Sequence, residues 1–111
     1  MLNSVLIEQR LALMVGYLTE LDKLARTPPE DFLADRIITG AAESYLRRSL
    51  EAIFDIGRHI LAKTGSLSLA TEYKAIARGL SQKGIVDRKL GLKLVEMAGY
   101  RNRLVHLYDE I

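Results

Sequence analysis

The two prolines of this chain are adjacent, at Pro28 and Pro29, so every other stretch lacks the residue that most reliably interrupts a helix. On both sides of that pair, apolar side chains return at steps of three and four. Leu, Ala, Arg, Glu and Lys dominate, all favourable in helices, while β-branched residues are sparse and scattered. This pattern predicts an all-α chain.

Four helices are expected. The first runs from about Asn3 to Arg26, with Ile7, Leu11, Met14, Leu18, Leu21 and Leu24 on one face. Thr27-Pro28-Pro29-Glu30 stops it and can open a short new turn, because proline suits the first helical position. The second and longest runs from near Asp35 to Lys63. Its inner stripe is Ile38, Ala42, Tyr45, Ser49, Ala52, Ile56 and Ile60, broadened by Leu46, Leu50, Ile53 and Phe54. A helix so broadly apolar is expected to meet more than one neighbour, another subunit among them, and Gly65 supplies its stop. The third begins within Ser68 to Thr71 and ends near Lys83-Gly84, with Tyr73, Ile76, Ala77 and Leu80 inward. Asp87 caps a fourth through Leu90, Leu94, Met97 and Ala98, which Gly99 loosens or breaks before the pattern resumes to Tyr108. With no repeat, low-complexity segment or linker, residues 1–111 are expected to form a single domain, an up-and-down four-helix bundle. The chain stops at Ile111, where such a bundle ordinarily carries a further helix, so the expectation is a shortened chain lacking that final helix.

Composition narrows function mainly by exclusion. A length of 111 residues fits one domain. No run approaches the ~18 apolar residues of a membrane span, and Met1-Leu2-Asn3-Ser4 does not read as a secretory start. Cysteine is absent, which removes disulfides and thiolate chemistry and fits a cytoplasmic location. His59 and His106 lie far apart, and no spacing supplies them with carboxylate partners, so neither a metal nor a cofactor is expected. Sixteen Lys and Arg against fourteen Asp and Glu give a net charge of +2, which permits nucleic-acid contact without arguing for it.

The chemistry gathers between Gly99 and Tyr108. On a helix turning about 100° per residue, Arg101 and Tyr108 nearly eclipse, with Val105 between them, while Asn102 and His106 stack on the adjacent face. The stripe Leu90, Leu94, Met97, carried forward by the same steps, reaches Arg101. An arginine then stands on the core face, and a guanidinium is rarely buried unless paired. The second helix offers Glu43, Glu51 and Asp55. Asp55 lies closest to the apolar stripe, and Glu43 and Asp55 are the pairing candidates.

Histidine gives and takes protons near neutral pH. Arginine holds a phosphate in a fork and stabilises charge that grows on it. Those two roles suffice for RNA cleavage by its own 2′-hydroxyl without a metal, and a two-fold dimer would bring a second histidine. The same spacing also arises by chance in helical proteins. Arg101 as a structural ion pair, His106 as a solvated residue near a helix end, and Tyr108 as a core residue with a wet tip all stay open on spacing alone.

The run Arg101-Asn102-Arg103-Leu104-Val105-His106-Leu107-Tyr108 resembles the R-x4-H-x-Y motif of the HepT toxins, within the HEPN superfamily of small α-helical ribonucleases. The approach from Leu94 to Tyr100 is similar too, as is the second helix with Glu43, Arg47, Arg48, Glu51 and Asp55-Ile56-Gly57, so the resemblance covers essentially the whole chain. It implies a HEPN-like bundle, a homodimer whose two motifs line one basic cleft, and a metal-independent endoribonuclease toxin that cleaves tRNA or mRNA. Arg101 and His106 would be the catalytic pair, and Asn102 the polar residue beside the arginine. The implied partner is an MntA-type nucleotidyltransferase antitoxin, which can neutralise such toxins by moving AMP from ATP to the motif tyrosine, here Tyr108. AMP adds bulk and negative charge where an RNA backbone would lie. Family members commonly continue past the motif with another helix, and its absence after Ile111 would open the groove or alter the dimer or antitoxin surface. The competing expectation is a helical dimer that binds nucleotides, RNA or a nucleotidyltransferase and cuts nothing.

Other polar residues carry less. His59 reads as a surface or helix-end residue, and Tyr17, Tyr45 and Tyr73 read as core. Tyr100 could stack on a base. Lys83, Arg88, Lys89 and Lys93 form a basic patch that is either solvated surface or an extension of an RNA track.

Overall fold

The computed structural model describes residues 3–64 and 72–109, with side chains described as far as Leu104. The expected all-α class is what it contains, in five helices. Helix α1 spans Ser4–Ala25, and the Asn3 side chain caps it by accepting the Leu6 N–H at 3.1 Å. Helix α2, Pro29–Ala34, is the short turn anticipated after the prolines, with Pro29 at its first position. Helix α3, Arg36–Lys63, opens on Asp35, whose carboxylate accepts from the N–H groups of Ile37 and Ile38. Helix α4 spans Tyr73–Gln82 and α5 spans Arg88–Asp109. Asp87 caps α5 as expected, accepting the Leu90 N–H at 2.7 Å. Gly99 does not interrupt α5, so the motif stretch continues the core helix. Gly65 and the segment Ser68 to Thr71, where the third helix was expected to begin, lie outside the described residues.

The tight core lies between α3, α4 and α5. Leu50, Phe54 and Leu61 meet Ile76, Ala77 and Leu80 of α4 and Leu94 and Ala98 of α5. Two glycines set the spacing. A Cβ on Gly57 would sit 2.8 Å from Cγ2 of Ile76 and 2.9 Å from Cδ1 of Leu80, so α3 and α4 touch through a missing side chain. A Cβ on Gly91 would sit 2.7 Å from Cβ of Ser81, bringing α5 as close to α4. These contacts also fix direction. Phe54 meets Tyr73, Gly57 meets Ile76 and Leu80, and Gly91 meets Ser81 while Gly99 lies beside Lys74. Helix α5 therefore runs back along α3, carrying residues after Gly99 past the level of Phe54.

Helix α3 meets all four other helices, as its broad apolar surface suggested. Its coverage is uneven. Helix α1 packs on it antiparallel, through Asn3 with His59, Arg10 with Asp55, and Tyr17 with Tyr45. Yet α1 contributes no buried residue, and Leu11 and Leu18 of its expected inner face are exposed. An apolar groove of about 330 Å³ stays open beside it, lined by Leu11, Met14, Ile53, Ile60, Leu94 and Met97 among others. No helix among the described residues is long and apolar enough to cross a membrane.

Candidate functional site

Because α5 is continuous, Arg101 falls on the inward side four residues beyond Met97, as helical phase predicted. Its side chain is 21% exposed. The guanidinium carbon lies 4.1 Å from the ring centroid of Tyr73, at the start of α4. One terminal nitrogen is 3.6 Å from Oε1 of Glu51, and the other reaches Oδ1 of Asn102 at 3.5 Å. The Nε atom is buried and has no hydrogen-bond partner among the described residues. Charge-assisted hydrogen bonds close at about 2.7–2.9 Å. Arg101 is thus oriented from three sides while its donors remain unsaturated, which leaves it able to take an anionic oxygen.

The carboxylate beside Arg101 is Glu51, not Asp55. Asp55 instead receives Arg58 at 3.3 Å and Arg10 of α1 at 3.6 Å. The reason is register: α5 runs back along α3, so Arg101 passes the level of Phe54 and meets the turn containing Glu51. Glu43, the other pairing candidate, lies two further turns toward the start of α3. Proximity to the apolar stripe favoured Asp55, but axial level decided the pairing.

Glu51 also accepts from Arg47 at 3.3 Å. Residues 47, 48, 51, 55 and 58 share one edge of α3 by helical spacing. With Arg10 and Arg101 this makes five arginines around two carboxylates. Ion pairs this exposed contribute about 0–1 kcal/mol each, so the arrangement matters for where it puts the guanidiniums. Arg48 forms no ion pair among the described residues. Between this edge and α1 lies a notch of about 150 Å³, lined by Arg10, Leu13, Tyr17, Arg48, Glu51 and Asp55.

The expected residues are therefore placed unequally. Arg101 and Asn102 sit together. His106 and Tyr108 lie on the helical backbone of α5, and their side chains are outside the described residues. The basic patch Lys83, Arg88, Lys89 and Lys93 belongs to the other end of α5, with Arg88 about 20 Å of helix rise from Arg101. Tyr73, read as core, is also the platform on which Arg101 rests, and Arg58 lies 5.7 Å from the same ring. Nothing in the sequence links position 73 to position 101. The Arg47–Glu51–Asp55–Arg58 edge was not picked out from the sequence, although its spacing of three and four residues is the signal that could have found it. Among the described residues, no three His, Asp or Glu side chains gather to hold a metal ion.

Two likenesses bear on this site. Residues 14–111 match the family described as "Ribonuclease HepT-like". The chain is also similar to a "tRNA nuclease HepT" of Aphanizomenon flos-aquae, 34% identical over 110 residues, covering 99% of this chain and 74% of that protein.

Proposed function

This chain belongs to the HepT-like ribonuclease family, and on that premise we propose that it is the RNA-cutting toxin of a toxin–antitoxin pair, with Arg101 and His106 as its catalytic residues. The observation that carries this reading is Arg101 itself: largely buried, oriented by Tyr73 and Glu51, and left with unsaturated donors. A solvated surface arginine would need no such support.

In the proposed reaction the 2′-hydroxyl oxygen attacks the adjacent phosphorus as its proton passes to a base. The P–O5′ bond breaks and the departing oxygen takes a proton from an acid. The products are a 2′,3′-cyclic phosphate and a 5′-hydroxyl. Arg101 stabilises the extra negative charge on the phosphorane, and His106 serves as proton carrier. A homodimer supplies two copies of His106, one for each proton transfer, across one groove. Asn102 limits the swing of Arg101 by accepting from it. No metal takes part. A tRNA is the favoured substrate, in keeping with the name of the Aphanizomenon relative, with mRNA the other. The antitoxin is a nucleotidyltransferase of the MntA type, which silences the toxin by AMPylating Tyr108.

The test is direct. Purified protein in EDTA is incubated with total tRNA and with a defined mRNA, and product ends are mapped. Cleavage leaving a 2′,3′-cyclic phosphate, lost in both Arg101→Ala and His106→Ala, is expected. Cleavage by either variant at the wild-type rate refutes the assignment.

A further inference from the structure

The notch between α1 and α3 belongs to no part of the chemistry above, yet it shares a wall with it. Glu51 lines the notch and is also the carboxylate 3.6 Å from Arg101. Whatever occupies the notch therefore lies one side chain from Arg101. Its chemistry is particular. Arg10 of α1 and Arg48 of α3 both line it, Tyr17 adds an aromatic ring, and Glu51 and Asp55 add acceptors.

Each element suits a different part of a nucleotide. Arg10 meets Asp55 through Nε at 3.6 Å, longer than a closed charge-assisted hydrogen bond, so its guanidinium keeps donors to offer a phosphate. Arg48 has no ion pair among the described residues. Tyr17 is half-buried, packs against Tyr45 with 6.1 Å between ring centroids, and lines the notch. An aromatic face held in this way stacks on any base. The carboxylates can accept from base amino groups or a ribose hydroxyl. A volume of about 150 Å³ falls well below that of a drug-sized ligand site, and suits one heterocyclic base with its phosphate outside.

We infer that this notch is a subsite for one nucleotide flanking the cut. Arg10 and Arg48 hold its phosphate, Tyr17 stacks on its base, and α3 carries the strand from there to Arg101. The inference rests on the ribonuclease reading and deepens it. It also places the strand on the arginine edge of α3 and away from the lysine-rich opening of α5.

The test uses the full chain carrying His106→Ala, so that binding is measured without cutting. A fluorescein-labelled single-stranded RNA is titrated by anisotropy at several salt concentrations. Arg48→Gln is expected to lower the salt slope by about 1, and Tyr17→Leu to weaken binding at least about fivefold while Tyr17→Phe binds normally. Lys89→Gln, at the far end of α5, serves as control and is expected to change neither. In the cutting protein, Arg48→Gln should raise KM and leave kcat within about twofold, as loss of uniform binding requires. Circular dichroism confirms that each variant is folded. Parental binding by both Arg48→Gln and Tyr17→Leu, or an equal loss in Lys89→Gln, overturns the inference. If those variants are silent while Arg101→Ala abolishes cleavage, the notch assignment falls and the ribonuclease reading stands. If RNA binds through the notch but nothing is cut, the ribonuclease reading falls, and the notch is overturned as a site flanking a cut.

Discussion

Arg101 lies over the ring of Tyr73, with 4.1 Å between guanidinium carbon and ring centroid, although the two belong to different helices. Phe54 meets the same ring edge-on at 5.2 Å and fixes it against the core. The chain thus transmits the rigidity of a fully buried phenylalanine to a largely buried guanidinium. A cation over an aromatic face gains about 0.5–2 kcal/mol, more as water is excluded. Replacing Tyr73 with Leu should lower kcat for RNA cleavage about tenfold while the fold persists, and Tyr73→Phe should restore most of it, because the ring face and not the hydroxyl supports Arg101. Steady-state cleavage of a labelled RNA measures both. Equal losses in Tyr73→Leu and Tyr73→Phe would contradict the role.

In the proposed mechanism Glu51 acts as a positioning residue for Arg101. Glu51→Gln keeps the shape and removes the charge that attracts Arg101 and Arg47. Displacement of a catalytic group by about 1 Å can cost roughly 100-fold in rate, so a fall in kcat of between about tenfold and a hundredfold is expected. A double-mutant cycle with Arg101→Lys should show strong coupling. Additive effects would mean that the two residues act separately.

Gly57 is where α3 and α4 touch. In Gly57→Ala the added Cβ would enter within 3 Å of Ile76 and Leu80. Overpacking of this kind costs about 1–3 kcal/mol. Urea denaturation should show a lower midpoint with an unchanged slope. A midpoint equal to wild type would mean that the two helices part freely.

His59 does more than its place near a helix end suggested. Its Nε2 accepts the backbone N–H of Asn3 at 2.9 Å, tying the start of α1 to the far end of α3. His59→Leu leaves that N–H without its partner, and an exposed bond of this type is worth about 0.5–1.5 kcal/mol. The expected result is faster amide exchange at Asn3 and through the first turn of α1, with α4 and α5 unaffected. Uniform acceleration across all helices would assign His59 to global stability.

The helices were legible because their signals are local. Asp87 before an apolar run and two prolines after Thr27 act on their own neighbours, and the caps appear where they point. The stripe from Leu90 through Met97 correctly carried Arg101 onto the inward side. What could not be read was which turn of α3 stands opposite Arg101. That depends on the offset between two helices, and Gly57 and Gly91 set that offset by permitting close approach to α4. Helical phase gives an angle around one axis but no height along another, so Asp55, nearest the apolar stripe, looked a better partner than Glu51. The half-covered state of α1 was equally hidden: Leu11 and Leu18 have inward periodicity but too little opposite them.

That shallow seat governs how the molecule breathes. A helix with no buried residue, resting among the described residues mainly on α3 and tied by a few polar contacts, is the segment expected to detach first in sub-global opening. Arg10 and Tyr17 travel with it, so the notch exists only in the closed population. A strand bound there would draw its affinity from that population alone and, by linkage, would slow proton exchange along α1. The helix farthest in sequence from Arg101 would then report on whether substrate is bound.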